Sequence, residues 1–433
     1  MYLLRHAHRT SLAAVLLLCT PWLAGTAGAQ TASEESAIVD SAVARGEYLA
    51  TAGNCATCHT APGGERLAGG LPFKTDFGTI YSTNITPDAE TGIGGWTLDQ
   101  FKRALRKGIS ADGSHLYPAF PYTSFTKITD EDASALYAWL MAQPAVKAPA
   151  KENEMFFPFN QRWLMTFWNM LFFDEGAFEP DPARSAEWNR GAYLVEGLEH
   201  CSACHSPRNM LGGEKTDVAY SGGLLTDKVA SGDYRPWSAP NLTNATNGLA
   251  PWSVEEIVAY LKTGKNSFTA SFGPMNEVIM NSTSHLSDAD LRAMAVYLKS
   301  LDPIETAAET DMAEHELGRG QTIYDLHCGT CHQPTGLGAP ETGARLVGSL
   351  IVQAEDPASL INVILYGPQL PNPHPPIGQW KQMPGFNDKI EDEEIAVLAT
   401  FLRHKWGNKG GRVTVEQVAR QRPPYDTDYN SGY

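Results

Sequence analysis

Apolar residues along this chain follow a pattern that is used three times. In each copy an Arg-Gly pair opens a short amphipathic segment: Arg45-Gly46 with Tyr48 and Leu49, Arg190-Gly191 with Tyr193 and Leu194, Arg319-Gly320 with Ile323 and Tyr324. Apolar side chains at helical spacing predict a helix in each. Each copy also closes on a helix, expected to run to Met141, Leu298 and Leu402, with apolar residues at three- and four-residue steps. Thr129 and Ser287 are read as N-caps, with acids behind them in the first turn, where the helix dipole favours negative charge. Copies one and two share more. Asn84-Ile85-Thr86 with Trp96-Thr97 parallels Asn241-Leu242-Thr243 with Trp252-Ser253, and each tryptophan precedes a predicted helix, Leu98 to Lys107 and Val254 to Thr263. The Asn-x-Thr triplets are read as loop residues of this repeat rather than glycosylation sites. The pattern predicts an all-α fold of three tandem small domains, 40–145, 186–302 and 313–407.

Between the two predicted helices of each copy lies the same chemistry: Cys55-Ala56-Thr57-Cys58-His59, Cys201-Ser202-Ala203-Cys204-His205 and Cys328-Gly329-Thr330-Cys331-His332. With a period of about 3.6 residues, two cysteines three apart and an adjacent histidine share one face of a helical turn. The thiols can then form thioethers to the vinyl groups of a haem while the imidazole reaches the iron, the signature of c-type attachment. A zinc or redox-dithiol site would account for one copy. Three copies using six of the chain's seven cysteines argue against it. The expectation is three covalently bound haem c groups, held by Cys55, Cys58, Cys201, Cys204, Cys328 and Cys331, with iron on His59, His205 and His332.

The sixth iron position separates the copies. A methionine thioether in the loop before the closing helix makes an electron-transfer haem and raises its potential. Copy three offers Met383, followed by Pro384-Gly385-Phe386. Copy two offers Met275, preferred over Met280 because Gly273-Pro274 is expected to fix an extended loop ahead of it. In copy one, Phe120 stands in that slot within His115-Leu116-Tyr117-Pro118-Ala119-Phe120-Pro121-Tyr122. The open readings there are no strong ligand, His115, or Met141 if the closing helix turns toward the iron.

The ends and joints complete the picture. Arg5 and Arg9, an apolar core from Leu12 to Ala24 and Ala27-Gly28-Ala29 read as a signal peptide, 1–29, cleaved before Gln30. Its apolar run is shorter than the ~20 residues that span a bilayer. Cleavage removes Cys19, so every remaining cysteine belongs to a haem motif. Export would place the chain in the periplasm. The net charge of -16 repels nucleic acid. An aromatic linker, 146–185, carries Met155 to Phe173 as a connector helix or as a patch for a partner or the membrane interface. The tail, 408–433, reads as an extended arm.

Taken together, the motifs resemble a known family. Tyr117-Pro118-Ala119-Phe120-Pro121-Tyr122, Cys204 to Asn209, Gly273-Pro274-Met275 and Met383-Pro384-Gly385-Phe386 are similar to stretches of the tri-haem cytochrome c subunits of bacterial membrane-bound dehydrogenases. The resemblance implies a larger catalytic subunit of quinoprotein, flavoprotein or molybdenum type. It further implies delivery of electrons to ubiquinone, and a peripheral place on the outer face of the inner membrane. Many members have methionine where Phe120 stands here. No Ser-His-Asp set, phosphate-binding loop or dinucleotide fingerprint is present, so no catalytic residue for an organic substrate is expected. The rival readings are a peroxidase-like haem enzyme using an open first haem, and a free periplasmic electron carrier.

Overall fold

Each Arg-Gly glycine marks a place where two helices cross without room for a side chain. In the computed structural model, which describes residues 27–228, 234–306, 312–339, 342–368 and 383–422, the entry helices are Ala27–Ala52, Ala186–Tyr193 and Glu314–His327. The closing helices are Asp130–Met141, Asp288–Lys299 and Asp392–His404. A Cβ on Gly46 would lie 2.1 Å from the Ala135 carbonyl oxygen, one on Gly191 2.0 Å from that of Ala293, and one on Gly320 2.5 Å from Phe401 Cβ. A helix-interior glycine costs about 0.5–1 kcal/mol against alanine. Here that cost permits the backbone of one helix to rest on the other. The chain divides into two units, Met1–Ser41 and Ala42–Tyr433, and all three crossings lie in the second. The predicted signal core lies outside the described residues.

Local signals in the middle segments are realised as read. Helices occupy Leu98–Lys107 and Val254–Thr263, capped by Thr97 and Ser253. Thr129 and Ser287 accept hydrogen bonds from the third residue of their helices, as N-caps do. Asn84 and Asn241 are buried, and each carboxamide oxygen accepts from the backbone N–H and hydroxyl of the threonine two residues on. They are loop anchors.

Copies one and two are not separate bodies. A single hydrophobic core runs from Leu49 through Trp139, Tyr193 and Trp252 to Leu298. Across it the two copies exchange the same bonds. Tyr193 of copy two donates to Asp132 of copy one at 2.6 Å, and Tyr48 of copy one donates to Asp290 of copy two at 2.6 Å. Each carboxylate is also held by the arginine of its own copy, Arg45 at 2.6 Å and Arg190 at 2.7 Å. Burial alone would raise the Asp290 pKa, but the bonds from Arg190 and Tyr48 outweigh it and hold the carboxyl below its ordinary value.

Copy three has its own core, from Ile323 and Tyr324 through Leu360 to Phe401 and Val418. It touches copy two through a buried pair of serines. Ser238 N–H donates to Ser359 Oγ at 2.9 Å, and Ser359 N–H to Ser238 Oγ at 3.1 Å.

Three expectations are corrected. The fold is mostly helical, at 44% helix, but not all-α. Strands β1 (Pro72–Thr75), β2 (Gly78–Tyr81) and β3 (Glu154–Met155) form one antiparallel sheet, and β4 (Gly223–Lys228) pairs with β5 (Tyr234–Ala239). These strands are too short for periodicity to announce. The segment 146–185 is more than an aromatic linker, since it carries the helix Met165–Phe172 and its β3 belongs to the sheet of copy one. The tail up to Arg422 is no extended arm either. Thr414 caps a helix, Val415–Gln421, whose Val418 is fully buried. The buried Arg403 donates to the carbonyls of Ala354 and Gly411, each at 2.7 Å, fastening that tail to copy three.

Candidate haem sites

All three motifs fold as one helical turn. Helical segments cover Cys55–Cys58, Ser202–His205 and Gly329–His332. The histidine N–H bonds the first cysteine's carbonyl at 3.0, 3.0 and 2.9 Å respectively. This brings both thiols and the imidazole to one face.

The histidines are oriented alike. Nδ1 of His59 donates to the Thr83 carbonyl at 2.7 Å, Nδ1 of His205 to Pro240 at 2.8 Å, and Nδ1 of His332 to Ala344 at 2.7 Å. A carbonyl can only accept, so the proton sits on Nδ1 and Nε2 is left with its lone pair. Burial lowers the pKa of all three rings more than the carbonyl bond raises it, which keeps them neutral. A neutral imidazole with a fixed Nδ1–H is the form that ligates a metal. No sequence signal identified the acceptors, because any residue has a carbonyl.

The six motif cysteines form no disulfide. Burial pushes Cys55 and Cys204 up to about 11, and Cys58 and Cys328 up to about 12. A redox dithiol works through a lowered thiol pKa, and burial acts in the opposite direction on these four. Among the described residues, no group of three or more His, Cys, Asp and Glu side chains is placed to hold a metal ion. A cavity of about 1520 Å³ has Cys55, Cys58 and His59 in its wall and reaches Cys204 and β4 of copy two. That exceeds the ~300–1,000 Å³ of a small-ligand site. Thiol pairs, oriented imidazoles and a large cavity fit haem c.

On the distal side of copy one, Phe120 lines this cavity. Its ring packs edge-on against Phe125, 5.4 Å between centroids. His115 is not among the described residues of the cavity wall. Its Nε2 lies 2.9 Å from Thr166 Oγ1 and its carbonyl accepts from Arg162 at 2.7 Å. Met141 packs against the shared core and is likewise absent from the wall. In copy two the extended loop expected before Met275 is not formed. Gly273 has φ +55°, which brings it against Trp237, and Pro274 is already helical, so Met275 opens the helix Met275–Asn281. Proline suits a helix start because the first N–H groups have no partner there. Met275 is half-buried against the shared core, and Met280 follows on the same helix. Met383 is half-buried against the core of copy three, next to the buried Phe386. The aromatic stretch 155–173 presents an exposed apolar face: Phe156, Phe157, Trp163, Phe167, Met170 and Leu171 are all more than half exposed.

The sites can now be compared with known proteins. The Cytochrome c family model matches residues 43–144 and 189–302, and the model for cytochrome c oxidase, cbb3-type, subunit III matches residues 315–402. The chain is 40% identical over 419 residues to the cytochrome c subunit of alcohol dehydrogenase (quinone) from Gluconacetobacter polyoxogenes, covering 92% of this chain and 87% of that one. The chain belongs to the family of dehydrogenase cytochrome c subunits. This cytochrome c subunit is also 40% identical to the gluconate 2-dehydrogenase cytochrome c subunit of Pantoea cypripedii, over 88% of its own length and 90% of that protein. A nicotinate dehydrogenase subunit of Pseudomonas putida matches at 45% over 370 residues, 84% of this cytochrome c subunit, which spans only 30% of the length of that relative. Haem and an electron-transfer role in a dehydrogenase complex come with the family.

Proposed function

We propose that the chain is a periplasmic three-haem relay. It would take electrons from a larger dehydrogenase subunit that oxidises an alcohol, aldehyde or sugar acid, and pass them to ubiquinone at the outer face of the inner membrane. The observation that carries this reading is the threefold repeat of a thiol pair beside an imidazole whose Nδ1 is tied to a backbone carbonyl. Haem c bound there supplies one-electron redox chemistry at a potential the protein sets. The residues do the rest. Cysteine pairs would fix the haem's position, Thr83, Pro240 and Ala344 fix the tautomer, and Met275 and Met383 would hold the iron together with His205 and His332. The seam between copies one and two brings those sites together. Asn281, on the helix opened by Met275, donates to Thr57 inside the first attachment turn at 2.9 Å. The exposed aromatic face of 156–171 suits a membrane or partner surface. No helix among the described residues is long and apolar enough to cross a membrane.

The test is to purify the native complex and assay substrate-dependent reduction of a ubiquinone analogue with and without this chain. Loss of quinone reduction with retained substrate oxidation by an artificial acceptor is expected. Full dehydrogenase activity from the isolated chain would sink the reading. Phe120 in the cavity wall favours a second reading, a haem enzyme with an open first site. That reading requires carbon monoxide binding by the reduced wild-type protein.

A further inference from the structure

We infer that Met165, from the segment after copy one, supplies the thioether for the iron held by His59, in place of the residue missing at position 120. The inference rests on haem c being bound at Cys55 and Cys58. Phe120 occupies the expected slot and has no donor atom. His115 and Met141 are not in the cavity wall among the described residues. Three methionines are: Met155, Met165 and Met210. Met210 is 94% exposed and lies beyond the second motif, and Met155 lies on β3.

Of the three, Met165 is the one flanked by residues bonded to the loop 115–122. It begins the helix Met165–Phe172, and that helix is fastened to residues 115–122 by its neighbours. Thr166 Oγ1 lies 2.9 Å from His115 Nε2, and Tyr122 donates to Asn169 Oδ1 at 2.6 Å. Arg162, one turn earlier, donates to the His115 carbonyl at 2.7 Å and stacks 4.8 Å over the Tyr117 ring. At about 100° per residue, Thr166 and Asn169 define the face that grips the loop. Met165, Trp168 and Phe172 define the adjoining face, and all three line the cavity. Met165 sits where the two faces meet, one turn before Asn169. An unbranched thioether with three rotatable bonds can reach across such a boundary.

The experiment is proton NMR of the fully reduced holo-protein, in which a methionine bound to low-spin ferrous haem gives a separate, strongly upfield methyl signal. Covalent haem is counted in parallel by the pyridine haemochrome assay. Wild type is expected to show three upfield methyls and no carbon monoxide binding. Met165→Leu should lose one methyl and bind one carbon monoxide per chain with its haem count unchanged, and Phe120→Met added to that variant should restore the signal. Two upfield methyls in wild type, or three in Met165→Leu, would overturn the inference, and the wild-type count decides even if the variant fails to fold. A deficit of covalent haem in wild type traced to Cys55 and Cys58 would instead overturn the haem reading beneath it.

Discussion

Copies one and two differ from copy three in where their charged helix ends find partners. In the first pair, the carboxylate three residues after the N-cap, Asp132 or Asp290, accepts from a tyrosine of the other copy. Each tyrosine hydroxyl also faces the N-cap N–H of that foreign helix, Thr129 at 3.4 Å and Ser287 at 3.2 Å. In copy three that position holds Thr322, whose hydroxyl donates at home to the Gly318 carbonyl, and the nearby Tyr324 donates to the Gln333 carbonyl. Its arginine, Arg319, pairs with the exposed Glu393. One entry-and-closing helix pair can therefore be built as half of a two-fold seam or as a self-contained unit. The entry-helix residue three after the arginine and the first turn of the closing helix together decide which.

The seam should fail as a unit. Asp132→Ala leaves the half-exposed Arg45 and the buried Tyr193 without their shared acceptor, and each hydrogen bond to that charged group is worth about 1.5–3 kcal/mol. Calorimetry of the holo-protein should show the transition of copies one and two moving down together while that of copy three stays. Glu393→Ala, in an exposed pair, should cost only about 0–1 kcal/mol. If Asp132→Ala shifts copy one and leaves copy two in place, the seam does not couple them.

pH probes the same boundary. Glu199 is buried with no cation paired to it among the described residues, and burial pushes its carboxyl from the ordinary 4.5 up to about 8. Ser282 Oγ lies 3.1 Å from it and 3.0 Å from the Ala52 carbonyl, so the acid sits where the copies meet. The folded chain holds a proton there that the unfolded chain has released. Stability is thus fully present below pH about 4.5 and falls as pH rises through about 8. The fall is on the order of a few kcal/mol at most. Glu199→Gln should flatten that slope for copies one and two in pH-dependent denaturant titrations. An unchanged slope would show that Glu199 ionises freely in the fold.

What could be read from the sequence was whatever neighbouring residues decide among themselves. The attachment turns need only a helical period, Thr97, Thr129, Ser253 and Ser287 need only the next three residues, and the anchors Asn84 and Asn241 need only the threonine two on. The seam was hidden because Tyr48 and Asp290 are 242 residues apart. Each looks like an ordinary member of its own helix. The β1–β2–β3 sheet was hidden because its third strand is two residues long. The nearness of the helix Met165–Phe172 to the loop 115–122 was hidden because the whole closing helix separates them in sequence. The tail helix had a legible sign, Thr414 three residues before Gln417, that the surrounding glycine, arginine and proline obscured.

A smaller contrast tests the tyrosines. Tyr48→Phe removes a hydrogen bond to a charged group, worth about 1.5–3 kcal/mol. Tyr324→Phe removes one to a neutral carbonyl, worth about 0.5–1.5 kcal/mol. The first should lower the melting of copies one and two, and the second that of copy three. Equal effects would mean that Asp290 is satisfied by Arg190 alone.

The smallest effect belongs to the tail. Thr414 and Gln417 form a reciprocal capping box, each side chain accepting from the other's backbone N–H. Thr414→Ala should cost about 1 kcal/mol. The helix it starts buries Val418 in the core of copy three, and the Gln421 carbonyl accepts from Tyr366 at 3.0 Å. Loosening the cap should therefore speed proteolysis after Arg412 without moving the transition of copies one and two. If both transitions move, the Ser238–Ser359 contact transmits more than its three hydrogen bonds suggest, and copy three is less self-contained than its separate core implies.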